Sequence, residues 1–206
     1  MARPAGTRNV GFEHKRDALA FALMSRVLVS PPPSFRELAE SAGVSVPTLR
    51  HYFEDRDGAI RGALDAMYRM GAAHIARSGT DAMGPVAPSL RWFLDQFREA
   101  WERYGVGRMI TAGLAEGLGS AGVGPTFIDT MLEPSLQAAE VRIAAHVARG
   151  ELEPCDVRHA ALELLCPVLL ALLHQGPLGG VACRPLDVDA FLDDHLRRFL
   201  RAYTPG

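Results

Sequence analysis

The chain holds 206 residues with a formal net charge of −2, and 48% of its side chains are hydrophobic against 22% charged. That balance suits one large folded domain or two small ones and excludes disordered, collagen-like and mucin-like chains. No run of about 18 uninterrupted apolar residues is present, so no membrane-spanning helix is expected.

Residues 1–11 read as a flexible basic arm without the apolar stretch of a secretory signal. Residues 1–36 hold six basic side chains against two acidic ones, a charge of +4, which leaves −6 for the remainder. A basic front on an acidic body suits a local anionic partner. From Phe12 to about Val29, Leu19, Leu23 and Val27 recur every four residues beside Ala22, a helical stripe that Pro31-Pro32-Pro33 ends. Ser34-Phe35-Arg36-Glu37 spells a capping box, in which the serine oxygen accepts from the Glu37 N–H and the Glu37 side chain reaches back. The helix it opens is short, because Gly43 stands where a left-handed residue is wanted. Ser45 caps a third helix with Pro47 in its first turn, and Asp55 caps a fourth that runs to about Arg77.

Residues 78–88 read as a connector of glycine, proline and small residues. Leu90, Phe93, Leu94, Phe97 and Trp101 then form a strong helical stripe, and Val106, Met109, Ile110 and Leu114 suggest another, broken over residues 117–125. Residues 127–148 are expected as one long helix kinked at Pro134. Residues 160–173, AALELLCPVLLALL, are apolar except for Glu163 and Pro167, so this helix must be buried on more than one side. Val188, Phe191, Leu192, His195, Leu196, Phe199, Leu200 and Tyr203 make a final packing seam. No stretch alternates as a strand does, and the fold class is all-α.

Residues 34–64 read SFRELAESAGVSVPTLRHYFEDRDGAIRGAL. Two short capped helices meet at a turn containing Gly43, with Leu38, Ala39, Val44, Leu49 and Phe53 available for a small shared core. This is the sequence form of a helix-turn-helix, whose second helix can enter the major groove. Ser45, Val46, Pro47 and Thr48 occupy its first turn, where bases are read, and Arg50, His51 and Tyr52 follow on the next. Thr48, Arg50, Tyr52 and Arg56 supply donors for phosphate, with Ser34 at the start of the preceding helix.

The segment resembles the DNA-binding domain of the TetR family of bacterial transcriptional regulators. The resemblance rests on Leu38-Ala39-Glu40-Ser41-Ala42-Gly43-Val44-Ser45, Thr48-Leu49-Arg50-His51-Tyr52-Phe53 and Asp55-Arg56, and covers roughly residues 12–64. Arg50 stands where the family usually has tyrosine, Arg56 where it has lysine, and the proline run where a glycine precedes the second helix. Past the connector only the layout is similar. The resemblance implies an N-terminal helix-turn-helix domain over 12–64, its fourth helix continuing to about 77. A helical effector-binding and dimerisation domain would follow over 78–206. It further implies a cytoplasmic homodimer, a repressor on an inverted-repeat DNA operator, released by a small hydrophobic effector without any cofactor. Trp92, Phe97, Trp101, Met109, Phe127 and Met131 are first of all core, and some are expected to line the effector cavity. Leu165, Leu169, Leu172, Phe191, His195 and Phe199 are expected at a dimer interface built from the last two helices. The alternatives are a helical interaction scaffold or a cofactor-binding enzyme carrying a non-functional helix-turn-helix.

Other motifs carry less. Gly117-Leu118-Gly119-Ser120-Ala121-Gly122 spells GxGxxG, but a dinucleotide site needs a preceding strand, and a connector between helices is the better reading. The histidines show no HxxxH spacing, and Cys155, Cys166 and Cys183 form no CxxC pair, so neither a metal site nor a disulfide framework is expected. Cys166 reads as a buried packing residue. Isolated carboxylates such as Glu116 and Glu133 receive no acid–base role.

Overall fold

The computed structural model describes the backbone of residues 5–206 and the side chains from residue 10 onward, and no strand occurs among the described residues. Contacts divide the chain into two compact units, the first reaching Gly71 and including Ala112–Met131, the second made of Ala72–Thr111 and Leu132–Gly206. A single boundary near residue 78 is therefore replaced by an exchange of segments, because helices α4 (Arg56–Ser78) and α6 (Val106–Gly119) each supply residues to both units.

In the first unit, α1 (Ala5–Val27) begins earlier than the Phe12 stripe requires. Residues 1–4 of the expected arm lie outside the described residues, and residues 5–11 belong to this helix. Leu19, Leu23 and Val27 are buried, as their spacing predicts. Helix α2 (Phe35–Ser41) opens with the expected capping box: Glu37 N–H donates to Ser34 Oγ at 3.3 Å, and Ser34 N–H donates to Glu37 Oε2 at 2.7 Å. Those two bonds, joined by Arg26, hold the Glu37 carboxyl down at about 2. Gly43 takes φ +66, the left-handed turn that admits helix α3 (Val46–Phe53). Leu38, Ala39, Leu49 and Phe53 form the shared core, with Val44 half-buried at its edge.

Between α3 and α4 the chain reverses within three residues. Asp55 N–H donates to the Phe53 carbonyl at 2.7 Å, which puts Glu54 at φ +65 and ψ −58. A left-handed glutamate in so tight a γ-turn stores roughly 1–3 kcal/mol of strain. Asp55 then caps α4 by accepting from Gly58 N–H at 2.7 Å. The GxGxxG segment closes α6 and turns into the short α7 (Gly124–Phe127), with no strand before it.

In the second unit, α5 (Val86–Arg103), α8 (Glu133–Ala148), α9 (Val157–Gln175) and α11 (Val188–Tyr203) share one apolar core, with the short α10 (Gly180–Cys183) between the last two. Leu94 of α5, Ile143 of α8, Leu164 of α9 and Leu192 of α11 are fully enclosed there. The long helix expected over residues 127–148 is continuous from Gly124, and its expected irregularity is a five-residue π-helical turn (Ile128–Leu132) joining α7 to α8 without a gap. Pro134 explains the change of pattern: it has no N–H to continue the ladder, so regular α-helical bonding resumes at Glu133 with the proline in its first turn.

A buried polar network ties these helices together. Arg142 and His146 of α8 are 0% exposed, and Ser89 of α5 is 1% exposed. Arg142 donates Nε to the Ser78 carbonyl at 3.1 Å, Nη1 to Ser89 Oγ at 2.6 Å and Nη2 to the Ser78 carbonyl at 2.6 Å, with Asp81 O as a further acceptor. Arginine can only donate, so the Ser89 oxygen accepts and its own hydrogen goes to His146 Nε2, 2.8 Å away. His146 Nδ1–H then donates to Glu151 Oε2 at 2.6 Å. Burial holds the His146 pKa below its ordinary value of 6.5, against the opposing pull of Glu151 and with help from the Arg149 and Arg142 cations. The unfolded chain therefore binds a proton that the folded chain refuses. Stability is full above about pH 6.5 and declines as pH falls through that value. Thermal unfolding followed from pH 7.5 down to 5.5 should show this loss, and His146→Gln should flatten it; an identical pH profile for the variant would refute the assignment.

Candidate nucleic-acid interface

Helix α3 has two faces. Leu49 and Phe53 are buried, while Pro47, Arg50 and His51 are exposed along with the capping Ser45. Ser45 Oγ accepts from Thr48 N–H at 3.2 Å and lies 2.8 Å from Thr48 Oγ1, so both hydroxyls gather at the N-terminal end of the helix. Val46, Thr48 and Tyr52 are half-buried, and Ser34 is exposed at the start of α2. The outward turn thus combines an apolar ridge, two hydroxyls, a guanidinium and an imidazole, a set able to meet base edges and phosphates.

Contacts from α1 orient this face. Phe12 stacks on Tyr52 with ring centroids 4.8 Å apart and meets His51 edge-on at 5.5 Å. Arg16 Nε donates to the Tyr52 carbonyl at 3.4 Å, and its guanidinium lies over Phe53. Arg50 sits 5.9 Å from the Phe35 ring, which steadies it without occupying its donors. None of these partners follows from local spacing, and Phe12 and Arg16 are additions to the sequence reading.

Arg56 lies differently from an open phosphate donor. Its Nε donates to the Pro33 carbonyl at 2.6 Å and its Nη2 to Glu116 Oε1 at 2.7 Å. Ser120 Oγ donates to Asp57 Oδ2, and Arg61 Nη1 donates to the Gly122 carbonyl at 3.2 Å. The GxGxxG segment and the carboxylate before it therefore serve as the partner of the first two turns of α4.

The other expected site residues separate by unit. Trp92, Phe97 and Trp101 are partly buried against the second unit's core, Trp92 beneath the Arg142 guanidinium at 5.0 Å. Met109 is half-buried in that unit. Phe127 is buried in the first unit, its ring filling the space where Gly113 lacks a side chain, and Met131 is half-buried there.

At the expected dimer interface the structure corrects part of the set. Leu165, Leu172 and Phe199 are 4%, 4% and 5% exposed inside their own unit's core, which removes them from an outer surface. Leu169, Phe191 and His195 are half-buried, and His195 Nε2 is committed to the Leu164 carbonyl at 2.9 Å. The outward stripe of α9 is Cys166 and Leu170, flanked by half-buried Leu162, Leu169 and Leu173. Cys166, expected inside, is exposed. Helix α9 is, by length and composition alone, long and apolar enough to cross a membrane, and less than half of it is buried. A helix apolar all round shows no preferred side in its sequence, and packing selected the side.

Ser89, His146 and Glu151 line up at distances typical of a serine–histidine–acid relay. Ser89 is enclosed, however, and its oxygen already accepts from Arg142, so the row joins helices instead of facing a substrate. No cluster of three or more histidine, cysteine or carboxylate side chains able to hold a metal occurs among the described residues.

No protein-family profile and no curated protein matches the sequence. Solved structures do match in shape. A candidate TetR-family regulator from Mesorhizobium loti superposes with a TM-score of 0.69 over 98% of this chain and 100% of its own, at 16% identity. The ketosteroid transcriptional regulator KstR2 of Mycobacterium tuberculosis gives 0.56 over 93% of this chain and 96% of its own, at 16% identity. The regulator FadR of Bacillus subtilis, in complex with stearoyl-CoA, gives 0.63 over 91% and 97%, at 11% identity. With its N-terminal helix-turn-helix and all-helical remainder, the chain has the fold of the TetR-family transcriptional regulators.

Proposed function

We propose that this protein is a sequence-specific DNA-binding transcriptional regulator, a cytoplasmic homodimeric repressor released by a small hydrophobic effector. One observation carries the reading: α3 exposes Ser45, Pro47, Arg50 and His51 while Leu49 and Phe53 anchor its other face. A short, capped, rigidly backed helix of that kind is what a major groove accepts. Val46, Pro47, Thr48 and His51 read bases, while Ser34, Ser45, Arg50, Tyr52 and Arg56 hold the backbone. The uncovered α9 stripe around Cys166 and Leu170 is the surface for a second copy, with Leu169, Phe191 and His195 beside it. The half-buried Trp92, Phe97 and Trp101 are candidate effector walls, and the steroid and acyl-CoA named for two structural neighbours support an apolar ligand.

Selection from a random pool of DNA duplexes, followed by salt titration, tests this. An inverted repeat should emerge, its half-sites about 34–36 Å apart or a small multiple of that. His51→Ala and Val46→Ala should change which sequence is preferred, each lost base contact costing about 1–3 kcal/mol of discrimination. Affinity should fall linearly with salt on a log–log plot. A pool that yields no sequence, with no salt-dependent binding, would reject the reading.

A further inference from the structure

Glu116 lies near the C-terminal end of α6 and is 5% exposed. Its carboxylate grips Arg56, the first residue of α4, at 2.7 Å, while the Nε of that guanidinium is fixed on the Pro33 carbonyl at 2.6 Å. Asp57 Oδ1 stands 3.8 Å from Nη1. The Arg56 side chain nevertheless keeps 31% of its surface open to solvent, just beyond the γ-turn that ends α3.

A carboxylate and a phosphate compete for the same guanidinium donors, and a cation already paired in the protein yields little from neutralising a phosphate. We propose that Glu116 is a positioning residue that holds Arg56 back from the DNA backbone, so that the pair must open before Arg56 can take a phosphate. The proposal rests on the DNA-binding reading above. Glu116 then sets the electrostatic share of DNA affinity without touching DNA. The Ser120–Asp57 and Arg61–Gly122 bonds keep the α6–α7 turn in place on α4, so altering the charge alone leaves the frame intact.

The test is a salt titration of the full chain binding a mixed-sequence DNA duplex. Glu116→Gln keeps the size of the side chain and an amide oxygen that still accepts from Arg56. It should bind roughly five- to tenfold tighter at low salt, because no charged pair has to be broken before Arg56 takes its phosphate. In an Arg56→Gln background that gain should vanish. A Glu116 that merely props the fold would instead weaken binding, with or without Arg56. Equal or weaker binding by Glu116→Gln, or a gain that survives without Arg56, overturns the proposal. Should Glu116→Gln fail to fold, the Arg56 Nε–H resonance of the wild-type chain gives a second readout. It must shift when DNA saturates the protein, and a stationary signal overturns the proposal. Wild-type chain without salt-dependent DNA binding would take the functional reading down as well. Salt-dependent wild-type binding with an inert Glu116→Gln removes only this inference.

Discussion

Gly58→Ala is expected to destabilise the first unit by about 3 kcal/mol, seen as a lower midpoint in urea unfolding. A Cβ at this position would stand 2.0 Å from the Phe53 carbonyl oxygen and 3.1 Å from its carbon. Both are backbone atoms, so no rotamer change relieves the clash; α4 must move away from the end of α3. Movement there would also stretch the Asp55–Gly58 cap and the γ-turn at Glu54. Gly62, one turn on, faces the Phe53 ring at 2.5 Å, so the two glycines together let the start of α4 pack closely on Phe53, the last residue of α3. Gly11→Ala is the control: nothing lies within 4 Å of its Cβ, and alanine in an exposed helix should be neutral or gain about 0.5–1 kcal/mol. Equal midpoints for wild type and Gly58→Ala would show that the α3–α4 contact is looser than described.

Arg142→Met is the second large effect, expected to cost the second unit about 3–5 kcal/mol. Methionine preserves much of the volume beneath Trp92 and Phe93 but donates nothing. The enclosed Ser89 oxygen would lose its donor where no water replaces it, the Ser78 and Asp81 carbonyls would lose theirs nearer the surface, and His146 would lose the group that orients its serine partner. The wild-type cation is tolerated without a carboxylate in contact because Ser78, the last residue of α4, presents its carbonyl oxygen to both Nε and Nη2 at the negative end of the helix dipole. Arg142→Lys should recover little, since one ammonium cannot span acceptors on both sides. A loss under 1 kcal/mol for Arg142→Met would mean that the network adds nothing to stability.

Much of the first unit was legible because its signals are local. The capping box at Ser34, the left-handed Gly43, the Ser45 cap and the Asp55 cap each depend on residues three positions apart or fewer, a range within which the backbone leaves few choices. The same holds for the Leu19–Leu23–Val27 stripe, whose one-sided pattern states which face is buried. The outer face of α3 followed from those pieces. The partners that steady or restrain it, Phe12, Arg16 and Glu116, lie tens of residues away and leave no mark in the spacing.

By itself, then, the sequence determined the all-helical class, the helix-turn-helix, most helix ends and the residues offered along α3. Tertiary structure alone decided which side of α9 turns inward, and so placed Leu165 and Leu172 in the core and Cys166 and Leu170 outside. It also decided that Arg142 is buried and that Arg56 is shared between Pro33 and Glu116. The physical reason is range. Helix caps and turns are settled by bonds between near neighbours, whereas an evenly apolar helix or a long cation takes its place only from whatever the rest of the chain packs beside it.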